Sequence, residues 1–134
     1  MRNFQSTVQI DNGTMSEMSY DDSPGYYKPW FQSTKLSDGQ HTITVRNLST
    51  AEIDFAIVEV GNQTPLSGKT IVVDNDSPSI RYSGHWSRNT SQFRSGYLGV
   101  GYPYGNSTHR SSIPGDTFTF RFTGALMEFP RNFD

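Results

Sequence analysis

The sequence predicts an all-β fold, a two-sheet antiparallel β-sandwich, on three observations. Helical periodicity is almost absent, and short runs alternate apolar and polar residues with a period of two. Gly, Pro, Ser, Asn and Asp interrupt the chain about every 8–12 residues, as in sandwiches and barrels. Apolar residues make up 33% while aromatics reach 13%, with 9 Phe, 7 Tyr and 2 Trp. The core is therefore built from rings and short β-branched clusters rather than from Leu and Ala. With 134 residues and 15.1 kDa, the chain has the length of one domain, 1–134. About nine or ten short strands fit two sheets packed face to face.

In chain order, Val8 and Ile10 mark a first strand, closed by Asn12-Gly13, a pair suited to a tight turn with positive φ. Ser23-Pro24-Gly25 is a Pro-then-Gly turn, and residues 30–33 follow as a weaker strand. Ser37-Asp38-Gly39 turns the chain into residues 41–46, where Ile43 and Val45 face inward and Thr42, Thr44 and Arg46 outward. Residues 53–60 are apolar on both faces, which predicts one central strand covered twice. Residues 61–69 carry a Pro and a Gly and read as an exposed connector. Ile71 and Val73, then Ile80 and Tyr82, mark two more strands, and residues 92–98 and 125–129 are weaker ones. Ile113-Pro114-Gly115-Asp116 is a turn before the clearest strand, 117–122, with Phe118, Phe120 and Phe122 on one face and Thr117, Thr119 and Arg121 on the other.

Composition excludes several functions. Eleven basic residues against 13 acidic ones give a net charge of −2, without the clustered basic face that nucleic acid requires. Arg81, Arg88, Arg94 and Arg110 read as an ordinary solvated face. The absence of Cys excludes disulfide scaffolds, zinc-thiolate sites and cysteine nucleophiles. No apolar run approaches the roughly 20 residues of a membrane span.

Compartment is read from sequons, at Asn12, Asn47, Asn62, Asn89 and Asn106. With eight Asn, and Ser and Thr at 30 of 134 residues, chance supplies roughly two. The excess leads us to expect a secreted, extracellular glycoprotein whose signal segment has been removed. The competing explanation is a Ser/Thr-rich β surface that generates sequons by accident.

Two stretches resemble a known family. Leu36-Ser37-Asp38-Gly39-Gln40-His41-Thr42 followed by Ile53-Asp54-Phe55-Ala56-Ile57-Val58-Glu59-Val60 resembles the closing strands of galactose-binding-like jelly rolls, which include carbohydrate-binding modules. Val73-Asp74-Asn75-Asp76-Ser77-Pro78, Tyr82-Ser83-Gly84-His85-Trp86, Thr108-His109 and Phe118-Thr119-Phe120-Arg121-Phe122-Thr123-Gly124 resemble the opening of β-sandwich domains in secreted proteins of mushroom-forming fungi. The matches touch about half the chain. Their order is inverted: residues 1–60 resemble the family's C-terminal half and residues 70–134 its N-terminal half, with 61–69 as the connector. The resemblance thus implies a jelly roll that is circularly permuted, or one that spans the end of one repeat and the start of the next. Its halves would close within one chain or by strand exchange in a homo-oligomer.

No catalytic set is apparent, and a non-enzymatic role is expected. His41, His85 and His109 have no neighbour at metal-binding spacing, and no Gly-x-Ser-x-Gly elbow or phosphate loop occurs. Asp21, Asp22, Glu52, Asp54 and Glu128 are available carboxylates, but nothing in the sequence pairs two across a cleft. Asp74 and Asp76 point to one side of an extended segment and offer hard oxygens to calcium. The competing role is to cap backbone amides at a strand end before Pro78. Either no cofactor or a structural calcium is expected. The loop aromatics are the better signal: Tyr26, Tyr27 and Trp30 after a Pro-Gly turn, and Tyr102 and Tyr104 among Gly101, Pro103 and Gly105. A ring stacks on the C–H face of a sugar while Asp21, Asp22 and Arg88 bond its hydroxyls. Alternatively such rings seal the ends of the sandwich, the role expected of Trp86. The expected function is a carbohydrate-binding module or lectin taking a glycan. The alternative is a structural or adhesive extracellular domain without a small ligand.

Overall fold

A computed structural model describes residues 4–20, 29–48, 51–62, 66–95 and 99–130. Strands occupy 56% of the chain, and the one helical element among the described residues is a single 3₁₀ turn at Tyr104–Asn106. The protein is an all-β sandwich of antiparallel sheets.

The larger sheet is ordered β2-β1-β4-β13-β8. Its strands are β1 (Phe4–Ile10), β2 (Ser16–Tyr20), β4 (Gly39–Leu48), β8 (Ile80–Ser83) and β13 (Asp116–Gly124). The second is ordered β3-β14-β6-β7, from β3 (Pro29–Gln32), β6 (Phe55–Glu59), β7 (Thr70–Asp74) and β14 (Leu126–Pro130). A three-stranded sheet joins β5 (Ala51–Ile53), β12 (Thr108–Ser111) and β9 (Ser87–Asn89), and β10 (Phe93–Ser95) pairs with β11 (Gly99–Gly101).

Alternation explains the inner faces. In β4, Ile43 and Val45 are fully buried, and in β13, Phe118, Phe120 and Phe122 are buried while Arg121 is exposed. Opposite them, Ala56, Val58, Met127 and Phe129 are buried from the second sheet. The layers meet through rings: Phe129 lies edge-on to Phe118 at 5.3 Å and tilted against Phe120 at 5.8 Å. Such geometry adds to the area that the rings bury.

Three local expectations are corrected. The single strand over 53–60 is two strands, because the chain changes sheets at Asp54. There the carbonyl accepts the Asn75 amide at 2.9 Å and Oδ2 accepts the Tyr104 amide at 3.2 Å, so neighbouring loops take the place of ladder partners. In the first turn the positive φ falls on Asp11, at 55°, rather than on Gly13. Among the described residues the strands number fourteen, not nine or ten, because polar segments such as Ser87–Asn89 pair as well.

β6 and β7 form a hairpin, with Glu59 opposite Thr70 and the Val60 amide bonded to the Lys69 carbonyl, and residues 63–65 of the connector expected at 61–69 lie outside the described residues. Strands from both sides of this connector alternate in the four-stranded sheet and share the five- and three-stranded ones.

Candidate functional site

Asp21, Asp22, Tyr26 and Tyr27, together with the Ser23-Pro24-Gly25 turn, lie outside the described residues. Trp30 belongs to β3. Arg88, Asp74, Asp76 and Tyr104 are brought together at one end of the sandwich, around a residue that composition did not single out.

That residue is Asn75, fully buried in the turn after β7. Its amide nitrogen donates to the Ser107 carbonyl at 2.8 Å, to Asp74 Oδ1 at 2.9 Å and to the Asp54 carbonyl at 3.2 Å, and its oxygen accepts from His109 Nδ1 at 2.8 Å. This orientation was assigned from the partners, since three acceptors face one end of the amide. Its own carbonyl accepts the Tyr82 hydroxyl at 3.0 Å. Burial raises the Tyr82 hydroxyl's pKa above its ordinary value. Burial also lowers the pKa of His109, whose ring stacks on Tyr82 at 4.0 Å.

On the outer side of this hub, Asp76 is held by Arg88 in a fork, with Nε 3.0 Å from Oδ1 and a terminal nitrogen 2.8 Å from Oδ2. Ser107 Oγ donates to the same carboxylate at 3.1 Å. The Arg88 bond, then the Ser107 bond, hold the Asp76 carboxyl below its ordinary range against desolvation. The capping role expected of Asp76 is not what is seen. Its oxygens meet side chains rather than strand-end amides, and its charge is already matched by a guanidinium. Arg88 is therefore not part of a merely solvated face. Among the described residues no group of three or more His, Asp or Glu is arranged to hold a metal ion.

The Tyr104 turn stands beside this cluster. Gly105 sits at φ 64°, and a Cβ there would come within 2.8 Å of Asp74 Oδ1. Only glycine lets the Tyr104–Asn106 turn settle so closely on that carboxylate. Tyr104 tilts against Phe55 at 5.4 Å yet remains 50% exposed, and Tyr102 is 60% exposed with its hydroxyl accepting from Gln92. Trp86 behaves as expected of a sealing ring, packed on Tyr82 and edge-on to Phe118, with Nε1 donating to the Thr117 carbonyl at 3.0 Å.

The other histidines serve local architecture. His85 is mostly exposed, and its backbone amide donates to Asp116 Oδ2 at 2.9 Å. Ser111 Oγ also donates to that carboxylate. Serine, aspartate and histidine thus meet, but the serine is buried and bonded to the aspartate rather than to the imidazole. A nucleophile needs the reverse order. Gly84, at φ 117°, gives the Asp116 carboxylate room, since a Cβ there would collide with it.

Asn75, Ser107 and Gln92 were not singled out in the sequence, and Asp54 stood there only as one available carboxylate. Asn75 meets Ser107 and His109 across 32 and 34 residues, so no local spacing could disclose it. No protein-family model, curated protein or solved structure matches the chain.

Proposed function

We propose that the protein is a non-catalytic carbohydrate-binding domain, a lectin-like module of the extracellular space, with its site at the Tyr102–Tyr104 end. The observation that carries this reading is the half-exposed Tyr104, with Tyr102 exposed two residues before it, in a turn that settles on Asp74, two residues from the Asp76 that forms the fork with Arg88. Rings with an open face and a polar tip suit the C–H faces of sugars, and a rigid fork of donors and acceptors suits vicinal hydroxyls. Asp74 and Asp76 place two carboxylates beside one guanidinium, which favours neutral glycans over sulfated or uronate-bearing ones. Contact by two rings on an open rim gives weak single-site affinity, so repeated sites would supply avidity.

Titration of intrinsic fluorescence with neutral oligosaccharides tests the reading, with sulfated chains as the contrast. Binding of the neutral set is expected, and Tyr102→Ala or Tyr104→Ala should each weaken it about three- to tenfold. Ile113→Ala, at an exposed turn, should leave it unchanged. Silence across the neutral set would turn the assignment to the adhesive alternative.

The extracellular part of the proposal is supported by sequons on exposed turns. Asn12, Asn62 and Asn106 are exposed, whereas Asn89 is half-buried with its Oδ1 accepting the Ser91 amide. A mobility shift after endoglycosidase treatment of protein secreted from a eukaryotic host is the check.

A further inference from the structure

His41 is buried, 6% exposed, at the start of β4. Each ring nitrogen meets an acceptor: Nδ1 is 2.8 Å from Asp11 Oδ2, and Nε2 is 2.6 Å from the Ser37 carbonyl. Neither partner has a proton to give when Asp11 is ionised. A neutral imidazole carries one N–H, so deprotonation sets a ring lone pair against an oxygen lone pair. Both contacts are satisfied only by the imidazolium.

The contacts join three segments. Asp11 belongs to the β1–β2 turn, at φ 55°, and is tied to β4 twice more, through the Thr42 amide to its Oδ1 at 2.9 Å and its own amide to the Thr42 carbonyl at 2.7 Å. Ser37 belongs to the segment leading into β4, and Leu36 beside it bonds the Ala125 carbonyl. From β13, the Phe122 ring lies 5.7 Å away. Arg46 and Asp116 lie toward the other ends of β4 and β13. Asp11 faces the ring. Asp38 has its carboxylate against Gly61. Lys35 is exposed, as is Arg121, which sits opposite Thr42 in the register rather than opposite His41.

We propose that His41 is a proton-operated latch that fastens the β1–β2 hairpin and the 33–38 segment to the sandwich when charged and slackens when neutral. The direction follows from linkage. The Asp11 bond, then the Ser37 bond, raise the His41 pKa above its ordinary 6.5. The stabilisation is therefore complete below pH 6.5 and is lost as pH rises through the raised folded value. The Asp11 carboxyl is held low, first by the His41 bond, so the acid limit comes only when pH falls through that lowered value. The latch stands independently of any sugar site.

Ring-proton NMR titration of the whole chain, with amide exchange across the same pH range, tests it. His41 is expected to titrate above 6.5 and His109 below it. Protection at the Thr42 amide, corrected for intrinsic exchange, should fall through the His41 midpoint while the Phe120 amide holds. Asp11→Asn keeps a residue that tolerates positive φ and still offers Thr42 an oxygen, but removes the charge. Its His41 midpoint should drop toward 6.5. A wild-type midpoint at or below 6.5, unchanged Thr42 protection, or an Asp11→Asn midpoint that stays put would each overturn the latch. If that variant does not fold, the two wild-type measurements decide.

Discussion

Asn75 shows how one polar side chain governs a neighbourhood. Its amide satisfies groups from the β5–β6 junction, the β7 end and the strand containing His109, all in a site with no water-exposed surface of its own. Asn75→Ala leaves several buried groups unpaired, and a loss of about 2–4 kcal/mol is expected in urea unfolding. Asp76 differs, because the pair with Arg88 is half exposed and screened by solvent. Asp76→Asn should move the melting temperature far less than Asn75→Ala. The same pairing bears on metal. With Asp76 already matched by Arg88, addition of calcium or of a chelator should leave the melting temperature where it was, and a rise with calcium would restore Asp74 and Asp76 as ligands.

At the level of elements, β13 bears the most weight, since its Phe stripe supplies one wall of the core. Phe120, fully buried between Phe122 and Phe129, should lose about 3–5 kcal/mol on change to Ala by denaturant titration. This strand, with β4 and β14, was readable in advance because one face is buried and one wet, which writes a period of two into the residues. β9 and β12 were not. Ser87-Arg88-Asn89 and Thr108-His109-Arg110-Ser111 lack that apolar alternation and become strands through pairing with each other and with β5. The split at Asp54 was hidden because the residues on either side are apolar, and its cause lies in loops at Asn75 and Tyr104. The candidate site divides the same way. Tyr104 and Arg88 stood out by their chemistry, whereas the hub between their segments depends on contacts distant in the chain.

At the scale of the molecule, the loop at 61–69 joins adjacent antiparallel strands and is exposed at 66–69. Lengthening it should matter little, since doubling a flexible loop costs only about 0.6 kcal/mol. Insertion of a Gly/Ser segment between Leu66 and Gly68 should change the melting temperature slightly and leave a species of single-chain mass on size exclusion. A doubled mass would point to exchange between chains. The strand order carries a further consequence. β13 lies between β4 and β8, and β14 lies between β3 and β6, so the middle of each main layer is made by residues translated late. Until they are made, β8 and β3 have no ladder partner, β4 has only β1 and β6 has only β7. Closure of both layers therefore waits on β13 and β14, whose pairings with strands distant in the sequence make the search slow.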